Sequence, residues 1–191
     1  MNIITTKLHG VLILEPKVFT DERGWFMESF NERAFNEILT QHNLPPAHFV
    51  QDNHSKSAKG VLRGLHYQLP PFAQGKLVRV VQGRAFDVAV DLRKDSPTFG
   101  QWTGVELTTD NHRQFWIPEG FAHGFIALED DTHFLYKTTN FYDKNSERSI
   151  VWNDVDLKID WQINNKMAPK LTEKDDQALN FRTAIQCNNL F

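Results

Sequence analysis

Arg84-Ala85-Phe86-Asp87-Val88-Ala89-Val90-Asp91-Leu92 alternates without a break. Phe86, Val88, Val90 and Leu92 fall on one side, and Ala85, Asp87, Ala89 and Asp91 on the other. A period of two residues marks an extended strand whose two faces meet different surroundings. One face here is bulky and apolar, while the other carries small residues and carboxylates. Such a strand fits a wall between a packed core and a polar cavity.

The same pattern spreads outward along the chain. Short runs at 11–14, 25–30, 49–53, 61–68, 76–82, 102–108, 113–118, 123–128, 133–138 and 149–152 are rich in Val, Ile, Phe and Trp and are divided by Gly, Pro, Asn or Asp. Many short antiparallel strands predict a mainly β protein, a sandwich, jelly roll or barrel. Two short helices interrupt it. Asn31 is placed to cap a segment of about ten residues, with Ala34, Phe35, Ile38 and Leu39 as its apolar stripe. Thr172 can cap another near the C-terminal end.

With 191 residues, 40% hydrophobic and 24% charged, the chain reads as one globular domain over 1–191. A net charge of -3 and a pI near 6.2 argue against a nucleic-acid binder. The lone cysteine, Cys187, excludes an internal disulfide framework and a Cys-rich zinc site. No apolar run approaches membrane-spanning length, and Met1–Lys7 carries no basic-then-apolar signal, so a cytoplasmic protein without a membrane partner is expected. Fifteen Phe and five Trp are generous for one subunit and point weakly to self-association.

Eight histidines leave metal or acid–base chemistry open. His66, in Arg63-Gly64-Leu65-His66, and Lys76, in Gln74-Gly75-Lys76, sit at strand positions flanked by glycines, as does His123 in Pro118-Glu119-Gly120-Phe121-Ala122-His123. The Pro-x-Gly-x-x-His spacing resembles the second signature of the cupin superfamily, whose jelly-roll barrels carry histidines at their mouths. The cupin metal signature needs His-x-His, but Gly64 occupies the other histidine position. Lys76 downstream would repel a divalent cation, and two imidazoles make a poor metal site. Acid–base histidines are therefore expected, with no metal. Arg63 and His66 have opposite strand parity, so both reach one cavity only if Gly64 bends the strand. On spacing alone Asp175 reads as an acid in the first turn of the Thr172-capped helix, favoured by the helix dipole. Tyr136 reads as core filling or as a general acid in a polar cavity. Arg23 reads as a turn charge or a phosphate ligand. Glu28, Gln51, Asn53, Glu147 and Lys174 read individually as surface or ladder residues.

Taken together, these stretches resemble the dTDP-4-dehydrorhamnose 3,5-epimerase family, nucleotide-sugar epimerases of the cupin-like jelly-roll class. The likeness runs through Asp21-Glu22-Arg23-Gly24, Gln51-Asp52-Asn53-His54-Ser55, Val61–His66, Gln74–Val78, Phe86–Asp91, Ser96–Gly100, Trp116–Phe125, Phe134–Lys137 and Ile150–Asn153 to about Asp175. Residues 181–191 match nothing and read as a variable tail. The resemblance implies His66 as general base, Asp175 as its carboxylate partner, Lys76 as stabiliser of the enolate oxygen and Tyr136 as the acid on the opposite face. It implies that Arg23, Glu28, Gln51, Asn53, Arg63, His123, Glu147 and Lys174 hold a dTDP-linked 4-keto-6-deoxy sugar, and that Tyr142 stacks on thymine, in the same subunit or a neighbour's. Thr172-Glu173-Lys174-Asp175 departs mildly from the family's Ser-x-Lys-Asp. A homodimer is implied, and no cofactor: epimerisation has no net redox change, and no Gly-x-Gly-x-x-Gly run is present. The rival readings are a single-site epimerase, a metal-dependent cupin such as a dioxygenase, and a non-catalytic sugar-nucleotide binding module.

Overall fold

The computed structural model describes residues 1–163 and 168–191. Its strands are β1 (Asn2–Thr5), β2 (Leu12–Glu15), β3 (Val18–Asp21), β4 (Gly24–Met27), β5 (Gln51–Ser57), β6 (Leu62–Gln68), β7 (Lys76–Gln82), β8 (Arg84–Asp91), β9 (Trp102–Thr108), β10 (Gln114–Ile117), β11 (Phe121–Ala127), β12 (Thr132–Thr138) and β13 (Glu147–Ser149). Its helices are α1 (Glu32–Gln41), α2 (Glu173–Asp176) and α3 (Phe181–Gln186). Two antiparallel sheets, β1-β2-β10-β7-β12-β5 and β13-β6-β11-β8-β9, form a jelly-roll sandwich, and β3-β4 stands apart as a two-stranded hairpin.

The alternation in β8 explains the layering. Ala85 and Ala89 face inward, into a core with Val78, Val80, Val105, Phe115, Phe121, Phe125 and Phe134. Phe86, Val88, Val90 and Leu92 face outward, yet they are buried too, because Ile150, Leu157, Trp161, Phe181, Ala184 and Leu190 cover them. The tail that matched nothing in sequence thus seals the back of the five-stranded sheet. On the other flank Phe35 and Leu39 of α1 cover Leu12, Leu14, Leu77 and Trp116. Asn31 caps α1 as its sequence suggests, its side chain accepting from the Ala34 N–H.

Several expectations need correction. Asp91 does not face the cavity: it is fully buried at the end of β8, where it accepts from Arg93, Ser96 and Thr98. The 25–30 run ends as a strand at Met27, the 49–53 run is extended over Gln51–Ser57, and the 149–152 run is extended over Glu147–Ser149. β1, β3 and α3 went unread. β1 and β3 are largely exposed four-residue pieces held by pairing with β2 and β4 rather than by an apolar alternation.

Gly64 resolves the parity conflict between Arg63 and His66. The β6–β11 register shifts between His123↔His66 and Phe125↔Arg63. Gly64 adopts φ +134°, and a Cβ there would lie 2.5 Å from Gly124 Cα and 2.9 Å from the His123 carbonyl oxygen. Strand parity breaks where these two backbones touch. Gly64→Ala is expected to cost about 2–4 kcal/mol through the forbidden φ and the backbone clash. Thermal denaturation should then show Tm lowered by about 4–16 °C. An unchanged Tm would refute the close-packing argument.

Candidate active site

The two sheets bring different groups to one opening. β6, β11 and β13 of the five-stranded sheet carry Arg63, His66, His123 and Glu147. β5, β7 and β12 of the six-stranded sheet carry Gln51, Asn53, Lys76 and Tyr136. The single turn of α2 adds Lys174 and Asp175. A cavity of about 250 Å³ is lined by Arg63, His66, Lys76, His123, Tyr136, Lys174 and Asp175. A second, of about 180 Å³, shares His66, Lys76 and Tyr136 with it and extends toward Gln51, Asn53, Tyr142 and Glu147.

His66 Nε2 lies 2.5 Å from Asp175 Oδ1, a contact across 109 residues of sequence. The Asp175 side chain is 3% exposed and that of His66 30%. Burial alone would raise the Asp175 carboxyl, but the His66 hydrogen bond and charge, with Thr172 and Lys174, outweigh it and hold the group below its ordinary value. An ionised carboxylate can only accept, so His66 Nε2 is the donor of this pair and Nδ1 is the nitrogen turned away from it. Asp175 does lie in the first turn of the Thr172-capped helix, and it also pairs with His66. Thr172 does the capping, by accepting from the Asp175 N–H, and the Asp175 carboxylate is left for His66.

Lys76 is almost wholly buried, with Nζ 3.5 Å from the His66 carbonyl oxygen. Burial pulls its ammonium down to about 8, against the opposing pull of Asp87 and Glu147. Burial also raises the Tyr136 phenol, so that group keeps its proton through neutral pH. His123 Nε2 is bonded to the fully buried Asp87 at 2.7 Å. Burial pulls the His123 ring down, with Asp87 opposing, so the imidazole is held toward its neutral form.

At the outer end, the Tyr142 hydroxyl donates to Glu147 Oε2 at 3.0 Å, and Lys174 Nζ lies 2.5 Å from the same oxygen. Gln51 donates to Asn53 Oδ1 at 3.0 Å and accepts from the Tyr142 N–H at 3.2 Å. Arg63 donates to Ser57 Oγ at 3.2 Å. Arg23 and Glu28 stay outside. Arg23 sits at the hairpin tip paired with Asp21, its side chain 85% exposed. Glu28 accepts from Asn31 at the surface. The sequence reading missed Ser55, Gln68, Gln74 and Asp87 around the opening. Asp87 alone left a signal, as a carboxylate on the inward face of β8.

A family model described as dTDP-4-dehydrorhamnose 3,5-epimerase matches residues 5–183. The protein of that name from Shigella flexneri is 61% identical over 175 residues, covering 92% of this chain and 93% of the relative. A crystal structure of dTDP-6-deoxy-D-glucose-3,5-epimerase from Legionella pneumophila, in complex with dTDP-4-keto-L-rhamnose, superposes with a TM-score of 0.91 at 49% identity, covering 99% and 96% of the two chains. A 3'-monoepimerase from Streptomyces bikiniensis, in complex with dTDP-quinovose, superposes at 0.86 with 30% identity over 97% and 90%.

Among the described residues, no three His, Cys, Asp or Glu side chains are grouped to hold a metal ion. Both cavity histidines already spend Nε2 on carboxylates. Elemental analysis of purified protein is expected to show iron, manganese and zinc well below one per chain, and chelation should leave activity intact. Stoichiometric metal lost together with activity would overturn this.

Proposed function

The chain belongs to the dTDP-4-dehydrorhamnose 3,5-epimerase family, and on that premise we propose how its cavity carries the reaction. The enzyme is an isomerase that epimerises dTDP-4-dehydro-6-deoxy-D-glucose at C3 and C5 to dTDP-4-dehydro-L-rhamnose, in the formation of dTDP-L-rhamnose. The observation that carries the assignment of roles is the His66–Asp175 pair facing Lys76 and Tyr136 across one opening.

A proton alpha to a ketone leaves slowly unless a base is positioned and the enolate oxygen is stabilised. His66 Nδ1 takes the proton, and Asp175 stabilises the imidazolium that results. The Lys76 ammonium meets the negative charge developing on the C4 oxygen. Tyr136, on the opposite sheet, returns a proton to the other face of the carbon, which inverts the centre. His66 then releases its proton to solvent and Tyr136 regains one from it, and repetition at the second carbon flanking the ketone completes the double epimerisation. Arg63, Gln51, Asn53, His123, Glu147 and Lys174 hold the sugar nucleotide around this axis, and Tyr142 stacks on the base. No step needs a cofactor.

Arg23 and Glu28 belong to this reading only if another subunit supplies them. Phe19, Trp25 and Phe26 on the same hairpin are 53%, 56% and 70% exposed, more apolar surface than a free hairpin should show water. We read the enzyme as a homodimer whose hairpin lies over the partner's opening and brings Arg23 to the pyrophosphate. Residues 1–191 act as one catalytic domain. A cytoplasmic setting suits the free, exposed Cys187.

Four outcomes check these roles. In heavy water, NMR should show deuterium at both C3 and C5 of the product. Incorporation at one carbon alone would mean a single-site epimerase, and none at all would sink the reading. His66→Ala should abolish turnover with substrate binding largely kept, and His66→Ala with Asp175→Ala should lose little more than the worse single variant. Fully additive losses would separate the two residues. Light scattering should give twice the 22.2 kDa chain mass, falling to the monomer in Phe26→Asp. A wild-type monomer would remove Arg23 and Glu28 from the site. The sign of the pH dependence follows from Lys76: the active ammonium exists below about 8, so kcat/KM should fall as pH rises through that value.

A further inference from the structure

Asp87 takes no part in the roles above, yet it is the most deeply buried carboxylate at the site. It is 0% exposed; Oδ1 is bonded to His123 Nε2 at 2.7 Å, and Oδ2 is enclosed with no hydrogen-bond partner among the described residues. A buried carboxylate with one oxygen unsatisfied is costly and needs a compensating charge. The two histidines of the cavity are built alike. Each gives Nε2 to a carboxylate, and each leaves Nδ1 without a protein partner among the described residues. His66 and His123 are register partners on β6 and β11.

We propose that Asp87 is a positioning residue: its carboxylate fixes His123 as the Nε2–H tautomer, so that Nδ1 offers a lone pair to a sugar hydroxyl, and it is the buried anion that keeps Lys76 an ammonium. The proposal deepens the epimerase reading and rests on it. An imidazole held this way accepts a hydrogen bond and cannot give one, so it selects a donor, a hydroxyl, rather than a carbonyl, at that point of the sugar. The ammonium needs the anion because Lys76 lines one cavity with His123, the partner of Asp87, and desolvation there favours the neutral amine; burial likewise raises the Asp87 carboxyl, with His123 and Lys76 pulling it back toward its charged form. The other titratable groups around Lys76 and His123 are Arg63 and His66 from β6, Tyr136 from β12, Lys174 and Asp175 from α2, and Glu147 from β13. β9 sets the apolar Val105 opposite Asp87, and β12 lays the Phe134 ring against His123 at 6.0 Å. Glu147 is the one other anion drawing Lys76 toward its charged form, and it already accepts from Lys174 and Tyr142.

Asp87→Asn separates charge from shape, since the amide oxygen can still accept from His123 Nε2–H. The alkaline limb of kcat/KM should move toward acid by about one unit, roughly a tenfold extra loss above the limb relative to pH 7. A limb that stays in place, whether activity is kept or falls evenly across pH, would reduce Asp87 to a packing role and overturn the proposal. A second measurement needs no variant. Long-range 1H–15N NMR of the ligand-free wild-type protein should show His123 protonated on Nε2. Protonation on Nδ1 would mean a neutral Asp87 that donates, and would refute the anion even if the variant fails to fold. Loss of the epimerase reading is told apart by wild-type deuterium exchange, which the tautomer measurement does not touch.

Discussion

Everything at the site depends on two backbones being allowed to touch. Gly64 of β6 and Gly124 of β11 approach so closely that a Cβ on Gly64 would meet Gly124 Cα, and one on Gly124 would meet the Arg63 carbonyl oxygen at 2.9 Å. That contact shifts the register of the pair. Without the shift, strand parity would send Arg63 and His66 to opposite faces of the sheet. With it, a guanidinium and an imidazole from one strand share a cavity. The energetic cost of the irregular strand is carried by a sheet covered on both faces.

The second theme is charge held out of water. Lys76, Asp87, His123 and Asp175 are all buried, and each ion has an opposite or a donor within the same small space. Burial pushes every one of them toward neutrality, and their mutual pairing pushes back. The balance differs from group to group: the Lys76 ammonium is drawn down to about 8, while the Asp175 carboxyl is held below its ordinary value. The surface ion pairs, such as Arg182–Asp156 and Lys137–Asp52, lie in water and contribute little by comparison.

Much of this architecture was legible in the chain. β6, β7, β8, β9 and β12 follow their apolar alternation to within a residue or so, and Asn31 announces α1. The short edge pieces β1 and β3 did not show, because their partners form them and their own patterns are weak. At the site, glycine-flanked His66, Lys76 and His123 stood out locally. Asp175 did not: its partner is 109 residues away, and nothing near it distinguishes an acid in the first turn of a helix from the carboxylate partner of a histidine. The converse failure is Arg23 and Glu28, which resemblance placed with the substrate while the single chain leaves them in solvent. Within one chain neither side chain reaches the opening, so the fold alone does not tie either to the substrate.

One pair of rings gives the sandwich a further meaning. Phe125 of the five-stranded sheet and Phe134 of the six-stranded sheet stack face to face, centroids 4.0 Å apart and planes within 4°. Phe125 also lines the cavity, so the stack forms a floor beside the opening. His66 hangs from one sheet, and Lys76 and Tyr136 from the other. The packing of these two rings therefore bears on the spacing between His66 on one sheet and Lys76 and Tyr136 on the other. Sheets packed on smaller side chains would close that gap, and bulkier ones would prise it apart. The hydrophobic interior thus acts as a spacer between the two sets of polar groups that share the opening.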